Sequence, residues 1–223
     1  PRVNRTDGLT LIEALIVVAV ISVLIAMLLP AITTRARARC CRTNCINNLK
    51  QVGLSFRQWA LDNNDRFPMQ VSTNSGGAME WARQGIAWPV FQVMSNELNT
   101  PKVLICPQES DTNRHVATHF GSPGTKRSSA QNTNLSYFLG PDADKTQPQM
   151  FLTGDSNLEI GGGRVRSGLV RLLTNRPVGW SAARHVRKGN VGLSDGSVQQ
   201  YDDLRLRQAL ASTGDQTNRI ILP

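Results

Sequence analysis

The sequence has few of the residues that most often form catalytic or metal sites. Its 223 residues include three histidines and four cysteines, and the cysteines have none of the spacings of a zinc ribbon. His115 and His119 are four residues apart, but no glutamate follows His115 to give an H-E-x-x-H motif. We therefore expect that the protein is not an enzyme and has no catalytic cofactor.

Aromatic and acidic residues are also scarce. Aromatics make up 5% of the chain, and 25 lysines and arginines outnumber 16 aspartates and glutamates, which gives a formal net charge of +9. Such a chain can bury a hydrophobic core, but a thin one. Glycine, proline and small polar residues are frequent after Asp62. We therefore expect one domain with many turns and loops in that region.

One long hydrophobic run stands near the start of the sequence, at residues 9–32. As a helix rising 1.5 Å per residue it would be ~36 Å long, enough to cross the hydrocarbon core of a bilayer. The run contains one acidic residue, Glu13. A carboxylate in hydrocarbon costs at least ~2.5–3.5 kcal/mol, so such residues tend to be paired and functional.

A partner for Glu13 follows from the residues before the run. Gly8 is a small residue that precedes the hydrophobic residues, so a cut after it would leave a free amine on Leu9. Residues 9 and 13 are one helical turn apart and lie on the same face. In a bundle of such helices, Glu13 of one subunit could neutralise the Leu9 amine of its neighbour.

The segment "GLTLIEALIVV" resembles the class III signal of type IV pilins and type II secretion pseudopilins. Pro30 falls at the family's proline position, and the departure is Leu9 where phenylalanine is usual. The resemblance implies cleavage between Gly8 and Leu9 by prepilin peptidase and N-methylation of Leu9. It also implies a single-pass protein of the bacterial inner membrane with a cytoplasmic N-terminus and a periplasmic C-terminal domain.

The same resemblance implies partners. Other pseudopilin subunits would form a homo-oligomeric filament through the hydrophobic helix, with help from an inner-membrane assembly platform, and membrane lipid would surround the helix before assembly.

Four arginines follow the hydrophobic run, at Arg35, Arg37, Arg39 and Arg42. By the positive-inside rule they favour the opposite orientation, but the processing signal implies the outward one.

The arginines also allow a different function, because a basic stripe can neutralise nucleic acid phosphates. No aromatic residues are interleaved among them, so we do not expect nucleic acid as a partner. A DNA-binding uptake pilin is nevertheless kept as one alternative, because of the basic run. The other is a membrane-tethered binding module that never polymerises.

After the hydrophobic run the pattern predicts an α+β fold, and the resemblance implies that its arrangement is pilin-like. Apolar residues at helical spacing continue the helix to about residue 62, where "DNNDRFP" ends it. We predict a short helix at "GIAWPVFQVM" interrupted by Pro89, strands at 102–106, 134–140 and 148–155, a hairpin at 189–202 turning at "DG", and a terminal helix at "DLRLRQALAS". The predicted segments are a leader at 1–8, a transmembrane and filament-core helix at 9–32, its amphipathic continuation at 33–62, and an α+β domain at 63–223.

A second resemblance lies near the C-terminal end. His185 and Asp195-Gly196 are spaced as H-x9-D-G, similar to the signature of one bacterial group of prepilin-like proteins. His185 could reach back to Asp195 or a backbone carbonyl as a structural link. Alternatively, Asp155, His185 and Asp195, with Asp142 and Asp144, could gather around a cation. Some secretion pseudopilins hold calcium, but calcium prefers oxygen ligands and the acidic loop is incomplete.

The cysteines allow two interpretations. Cys45 lies in phase with the apolar stripe of the long helix, and Cys106 stands alone in "VLICPQ". In an oxidising compartment these two would form a disulfide. The alternative is that all four cysteines are free thiols.

Overall fold

The computed structural model describes residues 10–121 and 132–223, except the side chains of residues 28–40. The chain divides into two compact units, Pro1–Cys40 and Cys41–Pro223. Helix α1, Leu11–Asp62, contributes its first half to the first unit and its second half to the other. The predicted processing residues Gly8 and Leu9 lie outside the described residues, as does the side chain of Pro30.

The remaining elements belong to the second unit. Its helices after α1 are α2 (Met79–Arg83), α3 (Trp88–Val93), α4 (Ser95–Leu98) and α5 (Asp203–Ser212). Its strands are β1 (Tyr137–Leu139), β2 (Phe151–Asp155), β3 (Leu158–Ile160), β4 (Gly163–Arg164), β5 (Gly168–Arg171), β6 (Val178–Trp180), β7 (Gly189–Leu193), β8 (Val198–Tyr201) and β9 (Arg219–Leu222). Short 3-10 helices cover Pro68–Gln70, Thr73–Ser75, Pro101–Leu104 and Asn132–Asn134. This is the predicted α+β class.

Two antiparallel sheets lie in the described part of the chain. The larger has the order β5-β9-β1-β2-β7-β8, and the smaller has the order β4-β3-β6. The predicted strands at 134–140 and 148–155 are confirmed as β1 and β2, which pair with Phe138 opposite Gly154. Their pairing places Asp155 at the end of β2 beside Tyr137 at the start of β1.

One face of α1 is buried in the core of the second unit, as its apolar spacing predicts. Cys45, Leu49, Val52, Phe56 and Trp59 are buried at the regular spacing of three and four residues. Phe56 makes edge-to-face contacts with Phe67 and Phe91, with ring centroids 5.7 and 6.0 Å away. The helix ends at Asp62, and Asn64 and Asp65 adopt the left-handed conformation in the turn that follows.

The predicted hairpin at 189–202 is confirmed as β7 and β8. Gly196 has a φ of 87° at the turn, a conformation that glycine adopts without steric cost. Helix α5 then begins, and the Asp202 carboxylate caps it by accepting from the Arg205 backbone N–H at 2.9 Å. The prediction that this helix is the terminal element is wrong, because β9 follows and pairs with both β1 and β5.

Two further predictions need correction around proline residues. Residues 102–106 do not form a strand, because Pro101 starts a 3-10 helix that Thr100 caps by accepting from the Lys102 backbone N–H. A proline fixes φ near the helical value and supplies no N–H, so the first helical turn accommodates it. Pro89 likewise lies at the start of α3 and does not interrupt it.

The contacts of Phe56 lead to a stability prediction. Phe56→Ala should lower the free energy of unfolding by about 3–5 kcal/mol, because it removes a fully buried ring and leaves a cavity. Leu54→Ala is the matched control, because Leu54 lies on the same turn of α1 but is exposed. Its effect should stay within about 0.5 kcal/mol. Urea unfolding of the full chain in detergent measures both, and equal effects would contradict the proposed packing.

Candidate functional site

The first candidate site is the start of α1, where Glu13 forms a capping box with Thr10. The Thr10 backbone N–H and hydroxyl both donate to Glu13 Oε2, at 2.9 and 2.8 Å, and the Glu13 N–H donates back to Thr10 Oγ1 at 3.4 Å. This arrangement satisfies backbone donors that a helix N-terminus otherwise leaves free. The sequence signal for it, T-x-x-E, is present, so Glu13 has a structural role besides the predicted intersubunit pairing.

The first turns of α1 are apolar and exposed. Twelve large hydrophobic residues between Leu11 and Met27 are each at least 48% exposed to solvent. Among the residues that the structure describes, no helix is long and apolar enough to cross a membrane. The predicted membrane span at 9–32 therefore stays a prediction.

The second candidate site is a buried polar cluster, which consists of Cys45, Cys106, Asp155 and His185. Cys45 comes from α1, Cys106 from the segment after Pro101–Leu104, Asp155 from the end of β2, and His185 from the loop between β6 and β7. Each of the four is at most 2% exposed. One sulfur, nitrogen or oxygen atom from each lies within 4.8 Å of the others.

The contacts inside the cluster are close. Cys45 Sγ lies 3.3 Å from Asp155 Oδ1, Cys106 Sγ lies 3.4 Å from His185 Nε2, and His185 Nε2 lies 3.5 Å from Asp155 Oδ2. The Cys45 and Cys106 side chains are free thiols. The structure thus brings together the two cysteines of the predicted disulfide, while the bond itself stays a prediction.

Two further side chains hold the cluster in place. Tyr137 Oη lies 3.3 Å from Cys45 Sγ. Asn190 donates to Asp155 Oδ2 with its backbone N–H at 2.7 Å and with its side-chain amide at 2.9 Å. The two donors fix the carboxylate so that Oδ1 faces Cys45.

Arg184 borders the cluster and links it to an ion-pair network. Its guanidinium is 4% exposed and lies 3.2 Å from the Glu109 carboxylate, while it also donates to the Ser136 carbonyl at 3.0 Å and to Ser156 Oγ at 2.7 Å. Arg114 lies 3.6 Å from the same Glu109 oxygen. Burial lowers the pKa of Arg184, but the negative charges of Asp155 and Glu109 outweigh it and raise the pKa.

The four clustered groups shift one another's pKa values. The hydrogen bond with Cys45 lowers the pKa of the Cys106 thiol to about 6, and the same interaction raises the pKa of Cys45 far above its ordinary value. Burial lowers the pKa of His185, but hydrogen bonds with Asp155 and Cys106 outweigh it and raise the pKa to about 9. Burial raises the pKa of Asp155, but the hydrogen bond to His185 and the Arg184 charge hold it below the usual range.

The backbone that carries His185 is unusual. His185, Val186 and Arg187 have φ values of 53°, 54° and 55°, so three consecutive non-glycine residues adopt the left-handed conformation. Each costs roughly 1–2 kcal/mol relative to a right-handed residue. Strain of this kind persists where surrounding contacts determine it, and it concentrates at functional sites. Here the His185 ring contacts Cys106 and Asp155, and the His185 backbone carbonyl accepts from the Arg42 side chain at 3.3 Å.

The structure places the other predicted cation ligands away from His185. Asp195 is exposed at the hairpin turn, where its carboxylate accepts from the Ser197 N–H at 2.8 Å and its carbonyl accepts from Arg57. Asp142 pairs with Arg219, and Asp144 accepts from Gln70 and Thr146. The predicted link between His185 and Asp195 is replaced by His185–Asp155, because the two ends of β7 face different parts of α1.

Gly196 has a separate structural role. A Cβ on Gly53 of α1 would lie 3.6 Å from the Gly196 Cα, so the hairpin turn packs directly on the helix.

Ser194 is the serine of a G-x-S-x-G sequence at residues 192–196, but it is buried and its hydroxyl donates to the Met150 carbonyl at 3.3 Å. The nucleophile motif requires a strand followed by a helix, so its geometry is not met here.

Arg184 provides a test of the site's electrostatics. Arg184→Met should lower the free energy of unfolding by about 3–5 kcal/mol, because it leaves Glu109 with weaker compensation and the buried Ser136 carbonyl without this donor. Arg187→Met, at an exposed arginine three residues away, should change it by no more than about 0.5 kcal/mol. Urea unfolding again measures both, and a small effect of Arg184→Met would refute the role of the network.

Comparison with known proteins bears on the start of the chain. The family model for the prokaryotic N-terminal methylation motif matches residues 3–29, which include Gly8, Leu9 and Glu13. No curated protein and no solved structure matches the chain. The protein therefore carries a prepilin-type N-terminal signal, which supports a type IV pilin-like substrate of prepilin peptidase.

Proposed function

We propose that the protein is a pseudopilin-like structural subunit of a type II secretion or type IV pilus-like filament, without enzymatic activity of its own. Prepilin peptidase would cut between Gly8 and Leu9 and the new Leu9 amine would be methylated. The observation that carries this proposal is the methylation motif at residues 3–29, which contains the small residue, the acidic residue and the apolar run in their required order.

The exposed surface of the first unit supports assembly. Leu11 and Met27 are 81% and 71% exposed, and the apolar residues between them point in every direction around the helix. A helix that is apolar all round is stable only when lipid or other protein covers it. We therefore propose that α1 waits in the inner membrane as a single-pass anchor, with the C-terminal domain in the periplasm. It would then move into a filament core made of identical helices.

Glu13 supports the same proposal through its charge. Both donors from Thr10 reach Oε2, so among the described residues Oε1 is the oxygen available to a further donor. A Leu9 amine of a neighbouring subunit would be that donor. In an apolar filament core, an unpaired carboxylate and an unpaired ammonium would each be costly, and pairing them favours association.

The capping box makes it possible to separate the two roles of Glu13 by substitution. Glutamine also completes a capping box, so Glu13→Gln keeps the helix cap and removes only the charge. We expect this variant to insert and to be cleaved as the wild type is, but to give at least tenfold less filament. Immunoblots of sheared filaments and of membrane fractions, with the assembly machinery co-expressed, measure assembly and processing separately.

Thr10→Ala is the matched control, because it weakens the cap by about 1 kcal/mol and leaves the carboxylate in place. We expect it to assemble. Wild-type filament yield from Glu13→Gln, with loss of filaments in Thr10→Ala, would assign Glu13 to capping alone and refute the charge pairing. A wild-type chain that is cleaved but stays monomeric beside the full machinery would instead favour the non-polymerising binding module.

A further inference from the structure

We propose that Cys45, Cys106, Asp155 and His185 bind one zinc ion as a four-coordinate structural site. The proposal does not depend on the filament function, because every ligand belongs to the second unit. The four side chains converge from different segments, and one ligand atom from each lies within 4.8 Å of the others. Together they provide two sulfurs, one nitrogen and one oxygen.

The distances between ligand atoms fit a tetrahedron around zinc. Zinc–sulfur bonds of about 2.3 Å and zinc–nitrogen or zinc–oxygen bonds of about 2.0 Å place neighbouring ligand atoms about 3.5 Å apart. The measured separations are 3.3 Å from Cys45 Sγ to Asp155 Oδ1 and 3.4 Å from Cys106 Sγ to His185 Nε2. The Cys45 and Cys106 thiols are unbonded at this geometry, whereas a disulfide requires about 2.05 Å between sulfurs.

The ligand types select the metal. Calcium and magnesium prefer oxygen ligands, and this site offers one carboxylate among four groups. Two thiolates with an imidazole suit zinc, which forms tetrahedral sites with mixed sulfur, nitrogen and oxygen ligands. All four positions are filled by protein and each ligand is buried. A closed site of this kind is structural, because a catalytic zinc keeps one position for water.

The groups around the ligands act as supports for such a site. Asn190 holds Asp155 Oδ2 with two hydrogen bonds, which leaves Oδ1 oriented toward Cys45. Tyr137 lies within 3.3 Å of the Cys45 sulfur and can donate to a thiolate there. Outer contacts of this kind orient ligands and commonly alter metal affinity by 10–100-fold.

The charges also balance. Two thiolates and one carboxylate with a divalent ion leave a net charge of −1, and the buried Arg184 guanidinium supplies +1 beside Asp155. Glu109, which lies 3.2 Å from Arg184, adds one further negative charge, and Arg114, 3.6 Å from the same carboxylate, adds one positive charge. His185 serves as a neutral ligand through Nε2, and its Nδ1 has no hydrogen-bond partner among the described residues. Because Nε2 binds the metal, the ring proton lies on Nδ1, so this N–H lacks the outer acceptor that usually orients a metal-bound histidine.

The first test is the zinc content of the wild-type full chain, purified in detergent without chelators from cells grown with zinc. Inductively coupled plasma mass spectrometry should find about one zinc per chain. Cys45→Ser and Cys106→Ser should each lose at least nine-tenths of it. Cys41→Ser is the matched control, because Cys41 is a free thiol one helical turn from Cys45 and outside the cluster. It should retain the full content.

The second test keeps the proposal falsifiable if the serine variants do not fold. Cobalt exchanged into the wild-type chain should give thiolate-to-metal charge-transfer absorption and the visible bands of a tetrahedral ion. Removing zinc from the wild type with a chelator under reducing conditions should lower its Tm by roughly 10 °C, and adding zinc back should restore it. Cys41→Ser should behave in the same way.

Two results would overturn the proposal. One is a wild-type chain, as isolated, whose non-reduced peptide map shows Cys45 and Cys106 joined as a disulfide. The other is a chain with both thiols free that contains no zinc and gives no cobalt charge-transfer band. Either result leaves the filament proposal untouched, because cleavage and assembly are measured independently of metal content.

Discussion

The burial of the apolar stripe of α1, from Cys45 to Trp59, in the core of the second unit is the interaction on which the rest of the structure depends. The stripe brings Phe56 to Phe67 and Phe91, and about three helical turns earlier it brings Cys45 to Tyr137 of β1 and Asp155 of β2. The same helix begins with residues that have no cover in a single chain. One helix therefore has a buried apolar face in its second half and exposed apolar residues in its first half.

The H-x9-D-G spacing follows from this arrangement. His185 lies before β7 and reaches the part of α1 near Arg42 and Cys45, while Asp195-Gly196 follows β7 and packs on Gly53 and Arg57. A strand of five residues is ~17 Å long, and twelve residues of helix from Cys45 to Arg57 rise ~18 Å. The two ends of the signature thus contact α1 at two points whose separation along the helix matches the length of the strand between them.

The sequence predicts those features that local patterns determine. The apolar spacing of α1 and the alternating residues around Asp195-Gly196 indicate a helix and a hairpin, and both are present. The strand predicted at residues 102–106 is wrong, because a short apolar run beside proline fits either a strand or a tight helix. The buried cluster joins Cys45 to His185 across 140 residues, so its composition depends on strand order. The sequence indicated a Cys45–Cys106 disulfide and, separately, a group of Asp155, His185 and Asp195 around a cation, but not one site that combines the two cysteines with Asp155 and His185.

The central claim is that the uncovered start of α1 becomes a functional N-terminus only after the leader is removed. The most direct measurement is intact and N-terminal fragment mass spectrometry of the native chain isolated from cell membranes. We expect a polypeptide that begins at Leu9 and carries one additional methyl group on its amine. A native chain that retains the residues before Leu9 would contradict it.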